Sequence, residues 1–97
     1  MSKAYKEEKA RLNEIAKQFL SDNGDLVYTN EDADNVVNLS YCGDDVPTKV
    51  NYMELTDSGV VVCTSAEVYP NEDEVDMLTD FSNAEIRAIL TLFGIQY

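Results

Sequence analysis

The sequence predicts an α+β fold: a helix, a three- to four-stranded mainly antiparallel meander, and a second helix, arranged as a two-layer sandwich. Three observations predict it. Apolar residues recur at helical spacing near both ends of the chain. Between them lie short β-branched and aromatic runs separated by Gly-, Asn- and Asp-rich turns. The intervals between the runs are too short for crossovers, so hairpins are expected, with both helices on one face of the sheet.

The first helix is predicted over 3–22. Tyr5, Leu12, Ile15, Ala16, Phe19 and Leu20 fall within one arc at 3.6 residues per turn, and Asn23-Gly24 marks the stop. Glu7 and Arg11 are spaced to pair at i,i+4. Leu26-Val27-Tyr28 is a short strand, and Asn30 to Asn35 a polar loop. Val36 to Cys42 alternates, with Val37, Leu39 and Tyr41 on one face. Gly43 to Pro47 reads as a turn by composition.

Thr48 to Thr56 reads as a strand whose phase changes. Val50 and Tyr52 share one face while Met53 and Leu55 share the other, which a β-bulge or a strong twist near Tyr52–Met53 would reconcile. Asp57-Ser58-Gly59 connects it to Val60–Ala66, an uncharged β-branched run expected to be a central strand covered on both faces. Asn71 to Asp80 is acidic and is expected to form a helical turn or an ordered loop. The second helix is the most fully specified element. Ser82 and Glu85 have capping-box spacing, and Phe81 and Ile86 have hydrophobic-staple spacing. Ile86, Ile89, Leu90 and Phe93 form one stripe, and Gly94 can close the helix in the left-handed conformation, with Ile95 folding back.

Ninety-seven residues are expected to make one domain, 1–97. Nineteen acids against seven bases give a net charge of −12. The distribution is uneven. Lys3, Lys6, Lys9, Arg11 and Lys17 face only Glu7, Glu8 and Glu14, so residues 1–17 carry +2 and residues 18–97 carry −14. Like charge at that density opposes compaction, and salt screens it. Raising salt from low to moderate is therefore expected to raise the melting temperature; a flat or falling value in a thermal scan would refute this.

Such a field repels nucleic acid and anionic membranes and favours basic partners. No apolar run approaches the roughly 20 residues needed to span a bilayer, and the N-terminal lysines precede no apolar stretch of a secretory signal. A cytoplasmic location is expected, with Cys42 and Cys63 as reduced, buried thiols, and a disulfide between neighbouring strands as the minor alternative.

The acids do not follow a calcium-loop pattern. That loop needs Gly at its sixth position and Glu at its twelfth. Counting from Asp32 these are Val37 and Gly43, and from Asn30 they are Asn35 and Tyr41. Without histidine there is no Ser-His or Cys-His pair. The four glycines are dispersed, so no phosphate-binding loop is present. Neither an enzyme, nor a cofactor, nor a metal site is expected.

What remains is the acidic surface. In one reading it imitates the phosphates of a nucleic acid and occupies a basic site on a protein, in its sharper form a nucleic-acid-binding enzyme. The candidate contacts are Glu31, Asp32, Asp34, Asp44, Asp45, Glu72, Asp73, Glu74, Asp76 and Asp80. In the other, the chain is a small interaction or assembly module using an apolar edge such as Tyr69, Met77, Leu92 or Tyr97, and the acids serve solubility.

Overall fold

The first helix, α1 (Lys3–Asp22), begins where the Ser2 hydroxyl accepts the Tyr5 N–H at 3.1 Å, satisfying one of the amide groups a helix start leaves unpaired. In the computed structural model, which describes residues 2–29, 35–41, 43–66 and 72–97, its buried face is Leu12, Asn13, Ala16 and Leu20. Ile15 and Phe19 pack at the border of that face. The buried Asn13 amide donates back to the Lys9 carbonyl at 3.0 Å, so its polarity is absorbed within the helix. The ion pairs along α1 are Lys3–Glu7 at 3.8 Å, Lys17–Glu14 at 3.4 Å and Arg11–Glu8. The expected Glu7–Arg11 pair is replaced. Arg11 takes the nearer Glu8 at i,i+3, and Glu7 turns to Lys3. Each is an exposed pair of small effect.

Among the described residues the sheet holds five strands rather than the three or four expected, and every pairing is antiparallel. They are β1 (Leu26–Tyr28), β2 (Val36–Tyr41), β3 (Asp44–Thr56), β4 (Gly59–Ala66) and β5 (Asp73–Met77). The path runs β1-β3-β4-β5, with β2 also on β3. The long β3 is the spine. Its C-terminal half pairs with β1 and its N-terminal half with β2 along the same edge, while β4 pairs along the other.

Two segments depart from the sequence expectation. Asp44 to Pro47, expected in a turn, already belongs to β3 and pairs with β2. Pro47 is tolerated because β4 begins to pair only at Thr48, so β3 has a neighbour on one side there, where a missing N–H does least harm. The acidic segment expected as a turn or loop forms β5, followed by a single 3-10 turn over Leu78–Asp80. An edge strand is held by backbone hydrogen bonds on one side, so charged side chains do not exclude it.

The phase change in β3 is real but sits one step earlier than expected. The register shifts between Val50 and Tyr52, leaving Asn51 as the extra residue. Val50 and Met53 thereby both face the helices, fully buried. Thr29 and Asn35 tie this point down. The Asn35 amide donates to the Val50 carbonyl at 2.8 Å, and the Thr29 hydroxyl donates to the same carbonyl at 2.7 Å.

The central position of β4 is as expected. Val60, Val62 and Thr64 are buried toward the helices. On its other face Cys63 and Ser65 are also buried, and the Asn51 amide reaches Ser65 Oγ at 3.3 Å and Cys63 Sγ at 3.8 Å. Cys63 is a free thiol; Cys42 lies outside the described residues.

The second helix, α2 (Asn83–Leu92), carries the capping box in full. Ser82 Oγ accepts the Glu85 N–H at 3.2 Å and Glu85 Oε1 accepts the Ser82 N–H at 2.8 Å. At its end Gly94 adopts φ +73° and the Ile95 N–H reaches the Leu90 carbonyl at 3.0 Å, so Ile95 is buried against the last turn. Phe81, Ile86, Ile89 and Leu90 join Leu12, Leu20, Leu39, Val60 and Val62 in one core. Both helices lie on the same face of the sheet and touch each other, as expected. Asn83 stitches them, its amide donating to the Tyr5 carbonyl at 3.1 Å.

Candidate protein-binding surface

The residue that organises the acidic surface is Glu85. Its Oε1 closes the capping box, while its Oε2 accepts the Ser40 N–H at 2.9 Å. The first turn of α2 therefore covers the edge of β2 that faces away from β3. Burial alone would raise the Glu85 pKa. The N–H groups of Ser82 and Ser40, the Ser82 hydroxyl and the Lys9 charge outweigh it, and the carboxyl lies below its ordinary value.

A depressed folded-state pKa contributes stability that is present above the unfolded value of about 4.3 and lost as pH falls through the folded value. Glu85→Gln should therefore cost about 1 kcal/mol at neutral pH, the scale of a lost helix cap, and progressively less toward pH 3. Melting temperatures of both proteins across that range check it. A gap independent of pH would show that the carboxylate charge is not what matters.

Around Ser40 and Glu85 the structure gathers three of the predicted acids. A cavity of about 210 Å³ is lined by Leu39, Ser40, Asp76, Asp80, Phe81 and Glu85. A neighbouring depression of about 320 Å³ shares Ser40 and Glu85 and adds Asp45, Ser82 and Ala88. Asp76 and Asp80, from β5 and the 3-10 turn, thus line one cavity and Asp45, from β3, the adjoining one, with Glu85 as a fourth carboxylate common to both. Sequence reasoning assigned Glu85 to the helix cap alone. Its second role depends on β2 lying beside α2, which the S-x-x-E pattern does not encode.

The other candidates are distributed differently. Asp44 opens β3 opposite Tyr41 and is exposed. Glu72 immediately precedes β5, and Asp73 and Glu74 begin it; all three are exposed. Glu31, Asp32 and Asp34 lie outside the described residues. Among the described residues no three acids or cysteines are close enough to hold a metal ion. Among the described residues the α1 cations form their ion pairs within the helix. Lys9 crosses to the second half of the chain, but onto the Thr79 carbonyl at 2.9 Å.

The apolar candidates do not form one surface. Tyr69 lies outside the described residues. Leu92 packs on the core, Met77 sits opposite Val61 on β4, and the Tyr97 hydroxyl lies 3.3 Å from Thr91 Oγ1. A different apolar set lies on the sheet face away from the helices. Cross-strand register aligns Tyr28, Tyr52, Cys63 and Val75 in one row over β1, β3, β4 and β5. The Tyr28 and Tyr52 rings are 5.5 Å apart, tilted by 59°, within the range of favourable aromatic pairs. Leu26, Tyr28 and Val75 on this face are exposed.

No described helix is long and apolar enough to cross a membrane. Comparison with family models, curated proteins and solved structures finds no match for this chain.

Proposed function

We propose that this chain is a non-enzymatic binding protein whose acidic surface occupies a basic site on a partner protein, standing in for nucleic-acid phosphates. The observation that carries the reading is the convergence of Asp45, Asp76, Asp80 and Glu85 beside the exposed acids Glu72, Asp73 and Glu74. The partner would be a basic protein, a nucleic-acid-binding enzyme in the sharper form, engaged in the cytoplasm.

The exposed Leu26, Tyr28 and Val75 favour a second reading, an interaction module held by its open sheet face. Salt separates the two. A tagged pull-down from cell lysate at about 50 mM and about 500 mM salt spans a range over which charge contacts weaken strongly. Capture of Lys- and Arg-rich nucleic-acid-binding proteins at the lower concentration, and their loss at the higher, is the expected result. A partner retained equally at both would overturn the acidic reading in favour of the apolar face.

A further inference from the structure

We propose that the outer edge of β5 receives an extended segment of the partner as an added strand, one whose residues alternate between basic and apolar. This rests on the acidic reading above and adds the geometry by which the partner is held. The first observation is topological. β5 pairs with β4 along one edge, and among the described residues no strand pairs with its other edge. Along that edge run backbone N–H and C=O groups able to receive another strand. The other margins of the sheet offer less. At β2 the Ser40 N–H is taken by Glu85, and β1 is three residues long.

The second observation is the division of side chains between the two faces of β5. Val75 lies opposite Cys63, and so ends the row that begins at Tyr28 and Tyr52 on the open face. It is 54% exposed, a row stopped at the margin of the sheet. Glu74 and Asp76 lie opposite Thr64 and Val62, on the helix side. A strand laid along this edge would place one set of alternate side chains beside Val75 and Met77 and the other set beside Glu74 and Asp76. Apolar residues in the first set would lengthen the Tyr28–Val75 row, and Lys or Arg in the second would face carboxylates.

Charge selects the occupant. A second copy of β5 would bring carboxylates against carboxylates, which is destabilising for directly opposed residues. Neither does a polyanion fit, since the chain carries −12. A basic extended segment with apolar alternate positions satisfies both faces.

The test uses the whole chain, isotope-labelled, and two synthetic peptides of about nine residues. One alternates Lys and Val; its isomer has the same composition with the lysines and valines in separate blocks. At about 50 mM salt the alternating peptide is expected to bind at least about tenfold tighter than its isomer and to slow amide exchange at alternate residues of 73–77. Equal, salt-sensitive binding of both peptides would overturn strand addition while leaving the acidic reading in place. Tighter binding of the alternating peptide with protection at β1 instead of β5 would overturn the placement. Absence of binding by either at millimolar concentration would overturn the acidic reading and strand addition with it.

Discussion

Ile89→Ala lowers the stability of the fold by about 3–4 kcal/mol and its melting temperature by about 15–25 °C. Ile89 is fully buried on the core-facing stripe of α2, with Ile86 and Leu90 on either side. Truncating it removes the transfer free energy of three carbons and leaves a void that rigid neighbours fill only in part. A chain of this length has about 5–15 kcal/mol in total, and each kcal/mol moves the transition by about 4–8 °C. Ile89→Val, which deletes one methylene, should cost only about 1 kcal/mol. Thermal and urea denaturation of the two variants check the pair. A fall of under about 5 °C for the alanine variant would mean that the helix and sheet layers are not closely packed at this point.

The second large effect is on binding. Reversing Glu72, Asp73, Glu74 and Asp76 to Lys in one variant brings the net charge from −12 to −4 and inverts the field along β5. Capture of a basic partner at about 50 mM salt should fall at least about a hundredfold, since attraction becomes repulsion at every contact. The fold should survive. Glu72, Asp73 and Glu74 are exposed, Asp76 is half-buried, and the strand is held to β4 by its backbone. Circular dichroism and the melting temperature verify the fold in the variant used for binding. Reversing Asp22 and Asp57, both exposed and outside the candidate contacts, is the control. Retained capture by the fourfold variant would remove the β5 acids from the interface.

The features legible in the sequence are those written in local chemistry. Ser82, Glu85, Gly94 and Ile95 specify both ends of α2 through contacts within a few residues of one another. Leu12, Ala16 and Leu20 declare the inner face of α1 by period alone. The misreadings occurred where long-range pairing overrides local preference. Asp44-Asp45-Val46-Pro47 has turn composition, yet β2 draws it into a ladder. Asp73 to Met77 has the charge of a loop, yet β4 needs a partner on its far edge. Of the site, the acids were visible as residue types, while the gathering of Asp45, Asp76 and Asp80 about Ser40 depends on three segments meeting across the sheet. The Tyr28–Val75 row was hidden for the same reason, because it exists only once three registers are set.

The bulge at Asn51 makes the chain unequally tolerant of length changes along β3. Elsewhere in that strand, loss of one residue would turn every later side chain to the opposite face, sending Met53 outward and Tyr52 inward. At Asn51 the outcome is reversed. Partner pairing already skips this residue, from Val50–Thr64 directly to Tyr52–Cys63. Its deletion would leave a regular strand with Val50 and Met53 still on the helix side. The loss would include the Asn51 side-chain amide contacts with Ser65 and Cys63 and the two Thr29 bonds on its carbonyl, from the N–H at 3.0 Å and the hydroxyl at 3.2 Å. A scan of single-residue deletions along this strand thus has one position of expected tolerance, and shortened relatives of the chain would carry their gap there.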